Sequence, residues 1–139
     1  MEKITIFTHG EARGNPGPAA IGVCIVDSEN NVIKEVSESI GNATNDYAEY
    51  FAVVRGLQTL VDLYGESTNE MEFELKLDNE LVKKQLSAEE QIKNVGLIGH
   101  FIEIYNLRVV NFQTLKVTLI KKGENKAVGI LVNKALDSR

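Results

Sequence analysis

Three titratable residues are out of keeping with their surroundings: His9, Glu49 and Asp78. At helical spacing Glu49 shares a stripe with Val53, Gly56, Leu57 and Leu60, which puts a carboxylate at the N-terminal end of an otherwise inward face. The helix dipole favours an acid there by roughly 0.3 to 1 kcal/mol, so a purely structural role is open to it. Asp78 stands where alternating residues give way to a helix. That is the place of an N-cap, and also the kind of strand end at which α/β sites gather. His9 ends a first strand beside a glycine-rich turn; alone it is an edge residue, and with acids beside it a metal ligand or general base. His100, near Phe101 and Ile104, has no partner motif and reads as structural.

The elements that must position these groups follow from hydrophobic period. Residues 3–9 are β-branched and aromatic, and residues 19–26 are almost continuously apolar, so both predict strands, the second buried. Between them residues 10–18 hold three glycines and both prolines, a tight structured turn. No helix follows these glycines and no Gly-Lys-Ser/Thr is present, which excludes a dinucleotide fingerprint and a phosphate loop. A polar turn at 27–31 leads to a third strand over about 32–40. From Thr44 to Gly65 the period becomes 3.6, with Thr44 or Asn45 as cap, and Gly56 on the inward stripe predicts close approach of a backbone element. A strand over 71–77, a short helix after Asp78, a helix over 95–107, a strand over 114–120 and a helix over 124–136 complete the chain. The order βββαβααβα, without linker or repeat, predicts one α/β domain over 1–139.

A length of 139 residues with 43% hydrophobic content is enough for a core without staples. One cysteine excludes an internal disulfide, and Cys24, inside an apolar run, is expected as a buried thiol. No apolar run reaches the roughly 18 residues of a membrane span and the N-terminus does not read as a signal peptide. A soluble, cytoplasmic monomer is expected. The net charge of -5 argues mildly against non-specific nucleic-acid binding, but it is uneven. Residues 1–112 carry 9 basic and 18 acidic groups, whereas 113–139 carry 6 and 2.

Several motifs carry a resemblance. The stretch Thr8-His-Gly-Glu-Ala-Arg-Gly-Asn-Pro-Gly-Pro-Ala-Ala-Ile-Gly-Val23 is similar to the T-D-G-x-A-R-G-N-P-G-P-A-G-I-G hairpin of type 1 ribonucleases H. Thr44-Asn-Asp-Tyr-Ala-Glu-Tyr50 resembles their T-N-N-x-A-E-Y, and Leu77-Asp-Asn-Glu-Leu-Val82 their D-S-E-L-V. Residues 124–137 resemble E-N-K-x-A-D-x-L-V-N-x-A-L-D. The resemblance covers the chain in order. It implies a ribonuclease H-like fold with a five-stranded mixed sheet, its first three strands antiparallel, flanked by helices. It also implies hydrolysis of the RNA strand of RNA/DNA hybrids by two Mg²⁺ ions on four carboxylates.

By that resemblance the Glu falls on Glu49 and the middle Asp on Asp78, while the first Asp falls on His9 and the last on Gly129. Two divalent ions roughly 3.5 to 4 Å apart need dense negative charge around them. A neutral imidazole and a glycine would halve it, and Mg²⁺ prefers oxygen ligands. Other family positions also differ: Leu119, Lys121, Glu90 and Gln91 stand where the family has a loop His, a Pro and an aromatic-basic pair. The implied substrate contacts are Asn15 and Asn45, with Arg13, Lys83, Lys84, Lys93, Lys121 and Lys122 as phosphate contacts. Lys83, Lys84, Lys121 and Lys122 read equally well as solvated surface, and Asp46 sets an acid near the phosphates.

The sequence thus predicts a ribonuclease H relative that binds RNA/DNA hybrid or another A-like duplex with weak or absent cleavage. Two alternatives stay open. One is an active nuclease using a single Mn²⁺ or Mg²⁺ held by His9, Glu49 and Asp78, and the other is a non-catalytic protein-interaction module.

Overall fold

The computed structural model describes residues 2–138. Its strands are β1 (Lys3–Ala12), β2 (Gly17–Val26), β3 (Val32–Ala43), β4 (Glu72–Leu77) and β5 (Lys116–Leu119). Its α-helices are α1 (Asn45–Tyr64), α2 (Glu80–Leu86), α3 (Ile98–Val110) and α4 (Lys126–Asp137). The order βββαβααβα is therefore as expected. The strands form one five-stranded mixed sheet in the order β3-β2-β1-β4-β5. β1, β2 and β3 pair antiparallel, and β1–β4 and β4–β5 pair parallel.

The hairpin reaches further than composition suggested. β1 continues through Gly10 to Ala12 and β2 begins at Gly17, so only residues 13–16 make the turn, closed by Arg13 N–H donating to the Pro18 carbonyl at 2.8 Å. Paired β-ladder bonds let the strand run on through Gly10. The third strand extends to Ala43 for the same reason. The helix predicted over 95–107 opens as a 3₁₀ turn (Val95–Leu97) and continues as α3 to Val110.

Strand alternation sorts the core onto two faces. Ile4 and Ile6 of β1, Val23 and Ile25 of β2 and Leu75 and Leu77 of β4 pack with Val53, Leu57 and Leu60 of α1. On the other face Cys24 and Val26 pack with Val128 and Leu131 of α4, and Phe7 joins them. The Cys24 thiol is buried, as expected. Removing a core side chain such as Leu57 would cost about 2 to 5 kcal/mol.

The close backbone approach expected at Gly56 occurs elsewhere. A Cβ on Gly56 would meet side-chain carbons of Ile6, Thr8 and Val23 at 3.4 to 3.5 Å, an ordinary contact. A Cβ on Gly10 would lie 2.2 Å from the Ala48 carbonyl, and one on Gly22 would lie 2.6 Å from the Val128 carbonyl. Gly10 thus brings β1 against the first turns of α1, and Gly22 brings β2 against α4. Among the described residues no helix is long and apolar enough to cross a membrane.

Candidate functional site

β1 and β4 pair in parallel only as far as Phe7 with Lys76, so His9 and Asp78 lie just beyond the last paired residues, where the strands diverge. The α1 helix starts here because Thr44 Oγ1 accepts from Tyr47 N–H. One turn further on, Glu49 is buried, and its Oε1 accepts the Gly10 N–H at 3.1 Å, a contact that the missing Cβ of Gly10 permits.

The structure brings the three residues singled out from sequence together. His9 Nδ1 lies 2.7 Å from Glu49 Oε1 and 3.2 Å from Asp78 Oδ1, and its Nε2 lies 3.4 Å from Glu11 Oε1. Each nitrogen of the ring faces oxygens of an acid, an arrangement that favours hydrogen on both. Burial disfavours the charged ring, but the hydrogen bonds and charges of Asp78 and Glu49 prevail and push its pKa up to about 10. The neutral imidazole expected at His9 is therefore corrected to an imidazolium, and the cause is the two acids brought to it from other elements. Burial pushes Glu49 above the usual carboxylate range. Burial also acts upward on Asp78, but the His9 hydrogen bond and charge, with the Lys122 charge, hold it below.

Asp78 does not cap α2, because Asn79 does: its Oδ1 accepts from Val82 N–H at 3.0 Å, and its Nδ2 donates to Asp46 Oδ1 at 3.1 Å. Asp78 is thereby left free to turn to the ring, and Asp46 is engaged in tying α1 to α2. Asn45 Oδ1 accepts the Ala12 N–H at 2.7 Å and Asn15 Oδ1 accepts the Asn45 N–H at 3.0 Å, so both asparagines lock the hairpin onto α1 at one end of the groove. That groove, about 470 Å³, runs past Asn45, Glu49, His9, Asp78 and Lys122.

The basic residues divide. Lys122 lines the groove, and Lys121 and Lys93 are exposed. Lys83 is paired with Glu89 at 2.8 Å, Lys84 with Glu80 at 3.1 Å and Arg13 with Asp137 at 2.8 Å. Gly129 lies on α4 beside His9 in an adjoining pocket, and a Cβ there would meet nothing within 4 Å. His100 packs edge-on to Tyr47 and Phe51, remote from this chemistry. Sequence reasoning passed over Asn125, which is buried, donates to the Thr8 carbonyl at 3.0 Å and lines the same pocket as Asp78. It also passed over Glu11 and Lys126. The Glu124-Asn-Lys126 motif held the signal for two of these, because it opens the helix that bears Gly129.

The family described as reverse transcriptase-like matches residues 7–135. A ribonuclease H1 isolated from compost by a metagenomic approach superimposes with a TM-score of 0.94 at 38% identity, covering 99% of this chain and 98% of that one. The chain belongs to the ribonuclease H1 family. The compost ribonuclease H1 is also known in complex with an RNA/DNA hybrid, with a TM-score of 0.93 at 37% identity over 97% of each chain. The ribonuclease HI of Halobacterium salinarum is 30% identical over 135 residues, 97% of this chain. A bifunctional protein of Mycobacterium tuberculosis is 29% identical over 137 residues. The chain spans 65% of the first of these two relatives and 36% of the second.

The divalent ions that ribonuclease H1 chemistry implies can be tested against the residues present. One ligand atom each from His9, Glu49 and Asp78 lies within 4.8 Å of the others. Two ions do not fit that set, since Gly129 offers no side-chain ligand and the His9 ring takes oxygens of both acids as hydrogen-bond partners. Glu49 Oε2 is buried without a partner, the one carboxylate oxygen of Glu49 not already engaged. An ion ligated by the His9 ring would have to displace the hydrogen bond that its Nδ1 makes to the acids.

Proposed function

We propose that this chain binds RNA/DNA hybrid or a related A-like duplex along the groove and hydrolyses the RNA strand weakly or not at all. The observation that carries the reading is the His9 ring bridging Glu49 and Asp78, with Gly129 opposite. In the family resemblance those four positions form the metal cage, and here an N–H group stands among the acids where a cation would have to enter.

The binding half rests on what surrounds that point. Asn15 and Asn45 shape the end of the groove, Lys122 lines it, and the exposed Lys121 and Lys93 would add phosphate contacts that set position without reading sequence. Arg13, Lys83 and Lys84 contribute only by exchanging their acidic partners for phosphate. Recognition would then follow duplex shape and 2′-hydroxyls. A relative with a hybrid bound, at 37% identity over nearly the whole chain, supports hybrid as the ligand class.

The test is a labelled hybrid incubated with the protein in Mg²⁺, alongside a binding titration at two salt concentrations. Salt-dependent binding with turnover well below the roughly 10 per second typical of enzymes is expected. Turnover within about tenfold of that value overturns the reading. So does an absence of binding.

A further inference from the structure

The pocket beside Gly129, about 370 Å³, is lined by His9, Lys122 and Lys126 with Asp78 as its only acid. Two lysines and an imidazole ring face one carboxylate. The balance reverses in the larger groove, where Glu11, Glu49, Asp78 and Glu80 face His9 and Lys122. The two replacements therefore do more than remove ligands: a glycine leaves the α4 side of the pocket without an acid, and a ring N–H supplies a donor on the β1 side.

The ring is held for that use. Nδ1 is fixed by Glu49 and Asp78 at 2.7 and 3.2 Å, while Nε2 has only Glu11 at 3.4 Å, a long contact that a stronger acceptor would replace. Lys122 and Lys126 are exposed and, among the described residues, neither is found in an ion pair, unlike Lys83 and Lys84. A tetrahedral anion with several oxygens can take donors from all three at once. His9, Asp78 and Lys122 line the pocket and the longer groove alike, so the two are continuous. That continuity favours a phosphate within a polymer backbone over an isolated anion.

We propose that His9, Lys122 and Lys126 form a pocket that takes a backbone phosphate of the bound duplex directly, with no divalent ion between. The pocket rests on the duplex-binding reading above and adds to it which group meets the phosphate. A metal cage needs cations to bring a phosphate against carboxylates. Here Lys122 and Lys126 supply the positive charge from the chain itself, and an ion is not needed.

The experiment measures hybrid affinity by fluorescence anisotropy in EDTA and in Mg²⁺ for the wild type, Gly129→Asp and Gly129→Asn. Either side chain enters open space, so the pair differs in charge and not in fit. The wild type should bind equally in both buffers, and in EDTA Gly129→Asp should bind at least about tenfold more weakly than Gly129→Asn, the scale of one lost charge-assisted contact. Inorganic phosphate should compete only at concentrations far above those of hybrid. If the wild type binds in neither buffer, the duplex reading falls and takes the pocket with it. If the wild type binds only with Mg²⁺, or the two variants bind alike in EDTA, duplex binding stands and the pocket is overturned. Competition by phosphate as effective as by hybrid also overturns it, in favour of a free-anion site.

Discussion

His9 changes character with its neighbours. As one residue in a string it is a histidine near its ordinary pKa, whereas in the fold it is a cation between acids from α1 and from the end of β4. Its raised pKa, about 10 against an ordinary 6.5, makes it a contributor to stability with a defined pH window. A group whose folded pKa lies above its unfolded one contributes fully below about pH 6.5 and loses that contribution as pH climbs towards 10. Asp78, held low, works in the opposite sense, and its contribution is lost only as pH falls below the usual carboxylate range. The melting-temperature advantage of the wild type over His9→Asn should therefore narrow steadily between about pH 7 and pH 10, as followed by circular dichroism. A difference that stays constant across that window rejects the ion triad.

At the scale of elements, the site depends on how closely β1 and α1 approach. Gly10→Ala would set a methyl 2.2 Å from the Ala48 carbonyl, so the strand and helix must part and Glu49 must leave the ring. A loss of more than about 3 kcal/mol in urea unfolding is expected, at the upper end of overpacking costs. Gly56→Ala, on the same helix but against side-chain carbons at 3.4 Å, should stay within about 1 kcal/mol of wild type, since gained helix propensity offsets the tighter contact. These two glycines also show what was legible in the sequence. Period and turn residues were sufficient for the element order, and the Glu49 stripe and the Asp78 strand end marked the site. What they could not carry was any property set by a partner far along the chain. The Gly10 contact spans 38 residues to Ala48, and the ring's charge depends on Glu49 and Asp78. The choice of Asn79 over Asp78 as cap turns on α2 beginning at Glu80, a boundary that the period does not fix to one residue. The pairing of Lys83 and Lys84 with Glu89 and Glu80 was open to a reader of helical spacing only for the second, which is an i,i+4 pair.

For the whole molecule, the net charge of -5 conceals a division of labour. Acids concentrate in residues 1–112, while Lys122 and Lys126, which face the pocket, belong to the basic remainder. The scaffold itself follows the family closely, with a TM-score of 0.94 to the compost ribonuclease H1. If only the cage has changed, restoring both acids should restore its chemistry. The double variant His9→Asp/Gly129→Asp is expected to cleave labelled hybrid in Mg²⁺ where the wild type shows little or no turnover, read as product on a denaturing gel. The same variant inactive but well folded and hybrid-bound would place the defect outside those two positions. Cys24 adds something that concerns neither nucleic acid nor metal. The chain's one thiol is sealed between the sheet and α4 against Val128 and Leu131, so an alkylating reagent can reach it only when that helix lifts. Each alkylation event is then a count of α4 leaving the sheet, and the native chain carries its own clock for how often the wall that bears Gly129 opens.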